Sequence, residues 1–214
     1  MSEIDRKRIE IPEICRVEGH AAVLVDIQDG KVIDVKLDVF EGTRFFERIV
    51  LGHHYDELAH ITSRVCAICS TGHVLAAIFA VEKILAVEPT PATKLLRELM
   101  HLGMIIESHA THICALALPD FLKTPDLITF ATEHPNEFAI WTKLRNLGSS
   151  IQSVIGGRPF HPVNLHVGGL SRAPSPEDLT RLLEALNSGI EIAAELCELL
   201  LAIELPFDKT WQPS

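Results

Sequence analysis

AAVLVDIQDGKVIDVKLDV, residues 21–39, alternates apolar and polar side chains on both sides of Asp29-Gly30. A period of two puts one set of side chains on each face of a strand, and Asp-Gly supplies the positive backbone φ of a two-residue turn. The stretch is expected to be a β-hairpin. Beyond it the period lengthens. Residues 44–51 fit a short helix, and 72–86 an apolar helix rich in Ala, Ile and Leu that Pro89 and Pro91 close. Residues 93–118 read as one long helix stopped at Pro119-Asp120, where Asp120 is a turn residue. Residues 121–132 read as a connection, and 137–155 as a helix closing at Gly156-Gly157. Ser175-Pro-Glu-Asp offers an N-cap and a first turn rich in acid for a last helix ending near Ile203.

The expected fold class is α+β and predominantly α: a small N-terminal β region over residues 1–43, then a helical region over 44–214, with no independent second domain. Several helices are apolar on more than one face, which suits burial in a larger assembly or against a partner. The end at Phe207–Ser214 carries no sign of a completed domain, so further chain is expected. There is no internal repeat or low-complexity segment.

The chain of 214 residues is 47% hydrophobic and 22% charged, enough apolar material for a packed core. A net charge of -10 and a pI near 5.5 argue against a nucleic-acid binder, which would show a basic face. The apolar runs at 113–118 and 196–203 are too short or too interrupted by Glu to cross a bilayer. The opening MSEIDRKRIEIPEI has charges and no apolar run after them, unlike a secretory signal. A cytoplasmic chain is expected. Its five cysteines, Cys15, Cys66, Cys69, Cys114 and Cys197, are odd in number and scattered, which argues against a disulfide framework. Cys15, Cys114 and Cys197 read as small buried apolar residues.

Cys66 and Cys69 stand in Arg64-Val-Cys-Ala-Ile-Cys-Ser-Thr-Gly-His73. A two-residue gap lets both sulfurs face one metal, and a helix start at Cys69 would favour thiolate charge. Spacing leaves three readings open. A redox pair would follow a strand in a βαβ setting, which is missing. A structural zinc site would need two more ligands, and no second pair follows; in a small zinc-binding interaction protein, two histidines would have to supply them. The third reading is a half-site completed elsewhere.

The segment resembles the first cysteine motif of nickel-iron hydrogenase large subunits, Arg-x-Cys-x-x-Cys-x-x-x-His. Arg16-Val-Glu18-Gly-His20 resembles the family's Arg-x-Glu-Gly-His, and Glu41-Gly-Thr-Arg44-Phe-Phe-Glu47 its Arg-x-x-Glu element. Glu107-Ser-His109-Ala-Thr-His112, Gly156-Gly-Arg158-Pro-Phe-His161-Pro162 and Gly168-Gly169 follow in the family's order. The wording around Glu41–Glu47 and 106–120 is most similar to the cytoplasmic NAD(P)-linked branch, the sulfhydrogenases.

The resemblance implies nickel held by four thiolates, and iron carrying cyanide and carbon monoxide. Cys66 would be a terminal nickel ligand and first proton acceptor, Cys69 the nickel-iron bridge, and Glu18 a proton relay. Without the resemblance Glu18 reads as a salt-bridge partner of Arg16. His73, one turn after Cys69, would tune that sulfur, or else pack beside the helix. Glu47 would help hold magnesium, or be an ordinary surface carboxylate. Arg16, His20, His109, His112, Arg158 and His161 would support the site, with Glu107, His109 and His112 in a buried hydrogen-bonded network. The family's second cysteine motif is absent, and its large subunits run to about twice this length. The implied partners are an iron-sulfur small subunit that holds the clusters, flavin and NAD(P) electron-transfer subunits, and a separate C-terminal large-subunit chain. A truncated or degenerate relative, or a non-catalytic scaffold like the quinone-site subunit of respiratory complex I, is the alternative. Retention of both cysteines argues against the scaffold.

Overall fold

The computed structural model describes residues 5–14, 17, 19–40 and 42–203. The chain divides into two compact units, Met1–Leu51 and Gly52–Ser214.

In the first unit the expected hairpin forms: β2, Ala21–Gln28, pairs antiparallel with β3, Lys31–Val39. Asp29 and Gly30 both take positive φ, 49° and 75°, which matches the right-handed twist of the flanking strands. A strand missed in the sequence, β1 (Arg6–Ile11), pairs with the other edge of β2, Ile11 facing Val23. Its alternation is masked by charge, and Arg8 clasps Asp26 across the pair with bonds of 2.6 and 2.8 Å. Helix α1, Thr43–Ile49, follows the sheet. β3 is exposed along its whole length, Val35 and Leu37 at 60% and 59%.

The second unit is helical. After α2, Leu58–Thr62, helix α3 runs Ser70–Leu85 with Cys69 as N-cap, and ends on Ala86 in the left-handed region. Pro91 opens the next helix rather than closing α3: α4 is Pro91–Thr111, and Thr90 Oγ1 accepts from the Thr93 amide. The long helix does not stop at Pro119. It widens into a π-helical segment, His112–Ala117, and continues as α5, Leu118–Phe121. A proline cannot donate to the carbonyl four residues back and its ring clashes there, so a wider turn ahead of it lets the chain stay helical. The expected connection at 121–132 contains α6, Leu127–Glu133, capped by Asp126 Oδ1 on the Thr129 amide at 2.8 Å. Helix α7, Pro135–Gly156, closes on Gly157 at φ 85°. A short hairpin follows, β4 (Leu165–His166) with β5 (Gly169–Leu170), and then α8, Pro176–Leu201, whose start is a full capping box of Ser175 and Asp178.

The core lies where α4 and α7 cross. Val74, Ile78, Met100, Ile151 and Ile155 are buried in one cluster with Leu165 and Leu182, and Ala110, Cys114, Ile140, Leu144 and Leu196 form a second. The helices approach at Gly103 and Gly148. A Cβ on Gly148 would sit 2.7 Å from the Glu107 amide nitrogen, so only glycine permits this contact. α8 buries Leu182, Gly189 and Leu196, yet Leu183, Ile190 and Leu201 on another face are 60%, 67% and 87% exposed. The doubly apolar helix expected from the sequence is thus present.

Candidate metal centre

Cys66 and Cys69 lie on the turn between α2 and α3. The turn closes when the Cys69 amide donates to Cys66 Sγ at 3.2 Å, and the Ser70 amide donates to the Ala67 carbonyl at 3.3 Å. This folding brings the two Cα atoms to 5.5 Å, a separation that suits a disulfide as well as a shared metal. The two sulfurs are paired with each other on this turn. Cys69 is the N-cap of α3, where unpaired amides and the helix dipole favour a thiolate. His73 follows one turn later, its amide donating to the Cys69 carbonyl at 3.3 Å. The donor atoms of Cys66, Cys69 and His73 all lie within 4.8 Å of one another, each residue partly buried. Among the described residues no other such group of donors forms.

The turn is held from far along the chain. His161 donates its amide to Ser70 Oγ at 2.9 Å, and its Nδ1 lies 2.7 Å from the Ser63 carbonyl oxygen. A carbonyl only accepts, so Nδ1 carries the proton. Ser63 and Ser70 are buried and stand at either end of the cysteine turn, so one histidine grips both ends. His161 takes a positive φ of 52°, and Arg158 Nε steadies it through a bond of 2.5 Å to its carbonyl. Positive φ appears at Gly157 and again at His161.

Beneath the turn, Thr71 donates to Gln152 Oε1 at 2.8 Å, and Gln152 Nε2 donates to Glu107 Oε2 at 2.7 Å. All three residues are buried. Burial pushes the Glu107 carboxyl above its ordinary range, and the nearby Arg145 and the Gln152 bond only partly offset this. The buried network expected at Glu107 therefore exists without His109 and His112, which are both exposed. Glu107, Ala110 and Cys114 occupy the inward face, and the two histidines fall off it. Sequence reading missed Thr71 and Gln152. A Gln beside Ile151 on an apolar helix face was the available signal.

A second buried device, also unforeseen, lies at the far end of α3. Arg97, 1% exposed, makes two bonds to Glu82, 3.0 and 2.8 Å, and donates to the His166 carbonyl at 2.9 Å. Glu82 also accepts from the Gly168 amide at 2.7 Å. Burial raises the Glu82 pKa, but the bonds from Arg97 and Gly168 and the charge of Arg97 more than offset this, and the net direction is down. Gly168, at φ 83°, sits in the turn between β4 and β5.

The remaining expected site residues lie elsewhere. Glu18, Arg16 and Cys15 fall outside the described residues. His20 is exposed, stacked on Phe40 with ring centres 5.9 Å apart, and 3.6 Å from the Glu13 carboxylate. Glu47 is exposed and pairs with Arg44 at 3.7 Å. Cys114 is buried as expected, and burial pushes its thiol up to about 11, which leaves it inert. Cys197 is instead exposed, because it lies on the uncovered face of α8. A largely apolar cavity of about 360 Å³, lined by Tyr55, Asp56, Ala59, Ile78, Val81 and His166, holds no group of three metal donors among the described residues.

Residues 44–150, half of the chain, match the family described as nickel-dependent hydrogenase. The chain belongs to that family. It is 38% identical over 188 residues to the alpha chain of sulfhydrogenase 2 from Pyrococcus furiosus, covering 88% of this chain and 46% of that protein. It is 37% identical over 202 residues to one subunit of the vhu F420-non-reducing hydrogenase of Methanocaldococcus jannaschii, covering 90% and 48%. The nickel-dependent hydrogenase chain also superposes on an NAD+-reducing [NiFe]-hydrogenase solved in the H2-reduced state, with a TM-score of 0.80 and 27% identity, over 91% of this chain and 45% of that one. It spans about half the length of the curated relatives it matches. Among the described residues no helix is long and apolar enough to cross a membrane.

Proposed function

We propose that this chain is the N-terminal part of a nickel-iron hydrogenase catalytic subunit that reversibly cleaves dihydrogen into hydride and proton. One observation carries the reading: within the family-matched segment, the sulfurs of Cys66 and Cys69 converge at the N-terminus of α3, with His73 beside them. Two soft thiolates fit half of a four-thiolate nickel site, and the other pair would come from further chain or a separate C-terminal polypeptide. When bound, the metals, with cyanide and carbon monoxide on iron, supply a soft, electron-rich centre to take the hydride.

The chain's own residues do the rest. Cys66 and Cys69 would hold the metals, and Cys66 would be the first proton acceptor at Sγ. His161 fixes the turn that aims both sulfurs, and His73 sits where its imidazole can tune them. Glu18 would carry the proton outward as a carboxylate relay. Glu47 would contribute to a magnesium site. Electrons would leave through iron-sulfur clusters of a small subunit to flavin and NAD(P), in the cytoplasm.

Metal and infrared analysis of the purified complex tests this. Nickel, iron and infrared bands of cyanide and carbon monoxide are expected, and zinc alone would sink it. Glu18→Gln should keep the metals but block hydrogen-deuterium exchange with solvent. Full retained exchange would refute the relay.

A further inference from the structure

We propose that the outer face of α8, from Leu179 to Leu201, is a seam that docks one helix of a partner polypeptide, a helix apolar on the facing stripe and flanked by a line of lysine or arginine. No residue of the cysteine turn takes part, so the seam stands apart from the metal reading.

Spacing defines the seam. Leu183, Ile190 and Cys197 recur every seven residues, and Leu179, Ala194 and Leu201 fall beside them at steps of three or four. Such steps keep side chains on one stripe of a helix, and a repeat of seven keeps that stripe facing one partner helix. At about 1.5 Å per residue the stripe is about 33 Å long. It is not the stripe that the fold buries. Leu182, Gly189 and Leu196, each one residue earlier in the repeat, turn inward, while Leu186 and Leu200 lie partly buried between the two stripes. Leu179, Leu183, Ile190, Cys197 and Leu201 are all exposed.

Charge selects the occupant. Glu177, Glu184, Glu191 and Glu198 also recur every seven residues, and the last three each follow a residue of the apolar repeat. They form a line of exposed carboxylates along one rim, and among the described residues none of them is ion-paired. Charges at this flank of a seven-residue repeat set partner choice through the residues they meet across the seam. A second copy fits in neither direction. Antiparallel, the two glutamate lines would meet each other. Parallel, they would be set against Ala185, Ile192 and Leu199 of the other copy, which desolvates carboxylates with nothing to pair them. An anionic lipid surface is repelled by the same line, where interfacial helices carry Lys and Arg instead. A partner helix with a lysine or arginine every seventh residue neutralises the line, and its leucine or isoleucine stripe covers the seam.

Two synthetic helical peptides as long as α8 test this. They share one Leu/Ile stripe and differ only in the flanks, all lysine or all glutamate, so that neither self-associates. Each is titrated, fluorescently labelled, into the purified full-length chain at low salt. The lysine peptide is expected to bind one to one, at least about tenfold more tightly than the glutamate peptide, with the gap closing as salt rises. It should also slow alkylation of Cys197, read by peptide mapping, in proportion to the fraction bound. Glu184→Lys, Glu191→Lys and Glu198→Lys together should reverse the preference. The unaltered chain decides even where that variant misfolds: equal binding of the two peptides, no binding of the lysine peptide, or binding that leaves Cys197 as reactive as before overturns the proposal. Dimers in sedimentation that shield Cys197, or shielding by phosphatidylserine vesicles, would give the seam to a second copy or to a lipid surface and overturn it equally.

Discussion

Two buried clasps organise the helical unit, and they are built from opposite chemistry. At the far end of α3, Arg97 and Glu82 form an ion pair sealed from water, which pins the β4–β5 hairpin. At its start, His161 holds the cysteine turn with one amide bond and one ring bond to a carbonyl. A buried charge pair is rigid, but it fixes a field that would act on any cation nearby. The histidine clasp fixes position through two hydrogen bonds and no ion pair. The ionic clasp thus sits at the opposite end of α3 from the cysteine turn, whose donors are partly buried.

The largest effect should come from breaking the ionic clasp. Arg97→Met leaves Glu82 buried without its partner, and urea unfolding should show a loss of about 3–5 kcal/mol. A loss below about 1 kcal/mol would mean that Glu82 escapes to solvent and that the pair is no clasp. Next is the crossing beneath both clasps: Gly148→Ala puts a Cβ 2.7 Å from the Glu107 amide nitrogen, and overpacking should cost about 1–3 kcal/mol on the same measurement.

His161→Ala sharpens the contrast. The amide bond to Ser70 survives, the ring bond to Ser63 goes, and the positive φ remains, so a loss of about 1–3 kcal/mol is expected. The nickel content of the assembled complex should fall because the turn loses one anchor. His161→Asn, which tolerates positive φ, should recover part of the stability. Unchanged nickel content in the alanine variant would separate the clasp from the metal turn.

The smallest expected effects are in pH dependence, where two buried carboxyls have opposite signs. The Glu82 pKa is lowered, so its contribution is present above the ordinary carboxylate value and fades as pH falls through the lowered one. The Glu107 pKa is raised, so its contribution is present below the ordinary value and is lost as pH rises through the raised one. Glu82→Gln should therefore remove stability at neutral pH and flatten the acid limb. Glu107→Gln should hold neutral-pH stability and flatten the slope above the ordinary carboxylate value. Urea midpoints across pH check both, and equal behaviour of the two variants would undo the contrast.

What the sequence disclosed was local. Asp29-Gly30 specified its turn, Ser175 and Asp178 their capping box, and Cys66 and Cys69 the convergence of two sulfurs, because each signal lies within a few residues. The clasps were invisible for the opposite reason. His161 and Ser63 lie 98 residues apart, Arg97 and His166 69, and no local pattern couples them. Strand β1 was hidden by Arg6, Lys7 and Arg8, whose charges obscured the alternation of Ile9 and Ile11. Placing His109 and His112 in the buried network failed on rotation: spacing put them on a shared face without saying which face the crossing at Gly103 and Gly148 would turn inward.

The central claim is that this chain contributes half of the ligands of a nickel-iron centre. The most direct test is the nickel and iron content of the assembled complex carrying Cys69→Ser beside the unaltered one. Both metals in the unaltered complex and neither in the variant are expected. Equal nickel and iron in the two would contradict the assignment of Cys69.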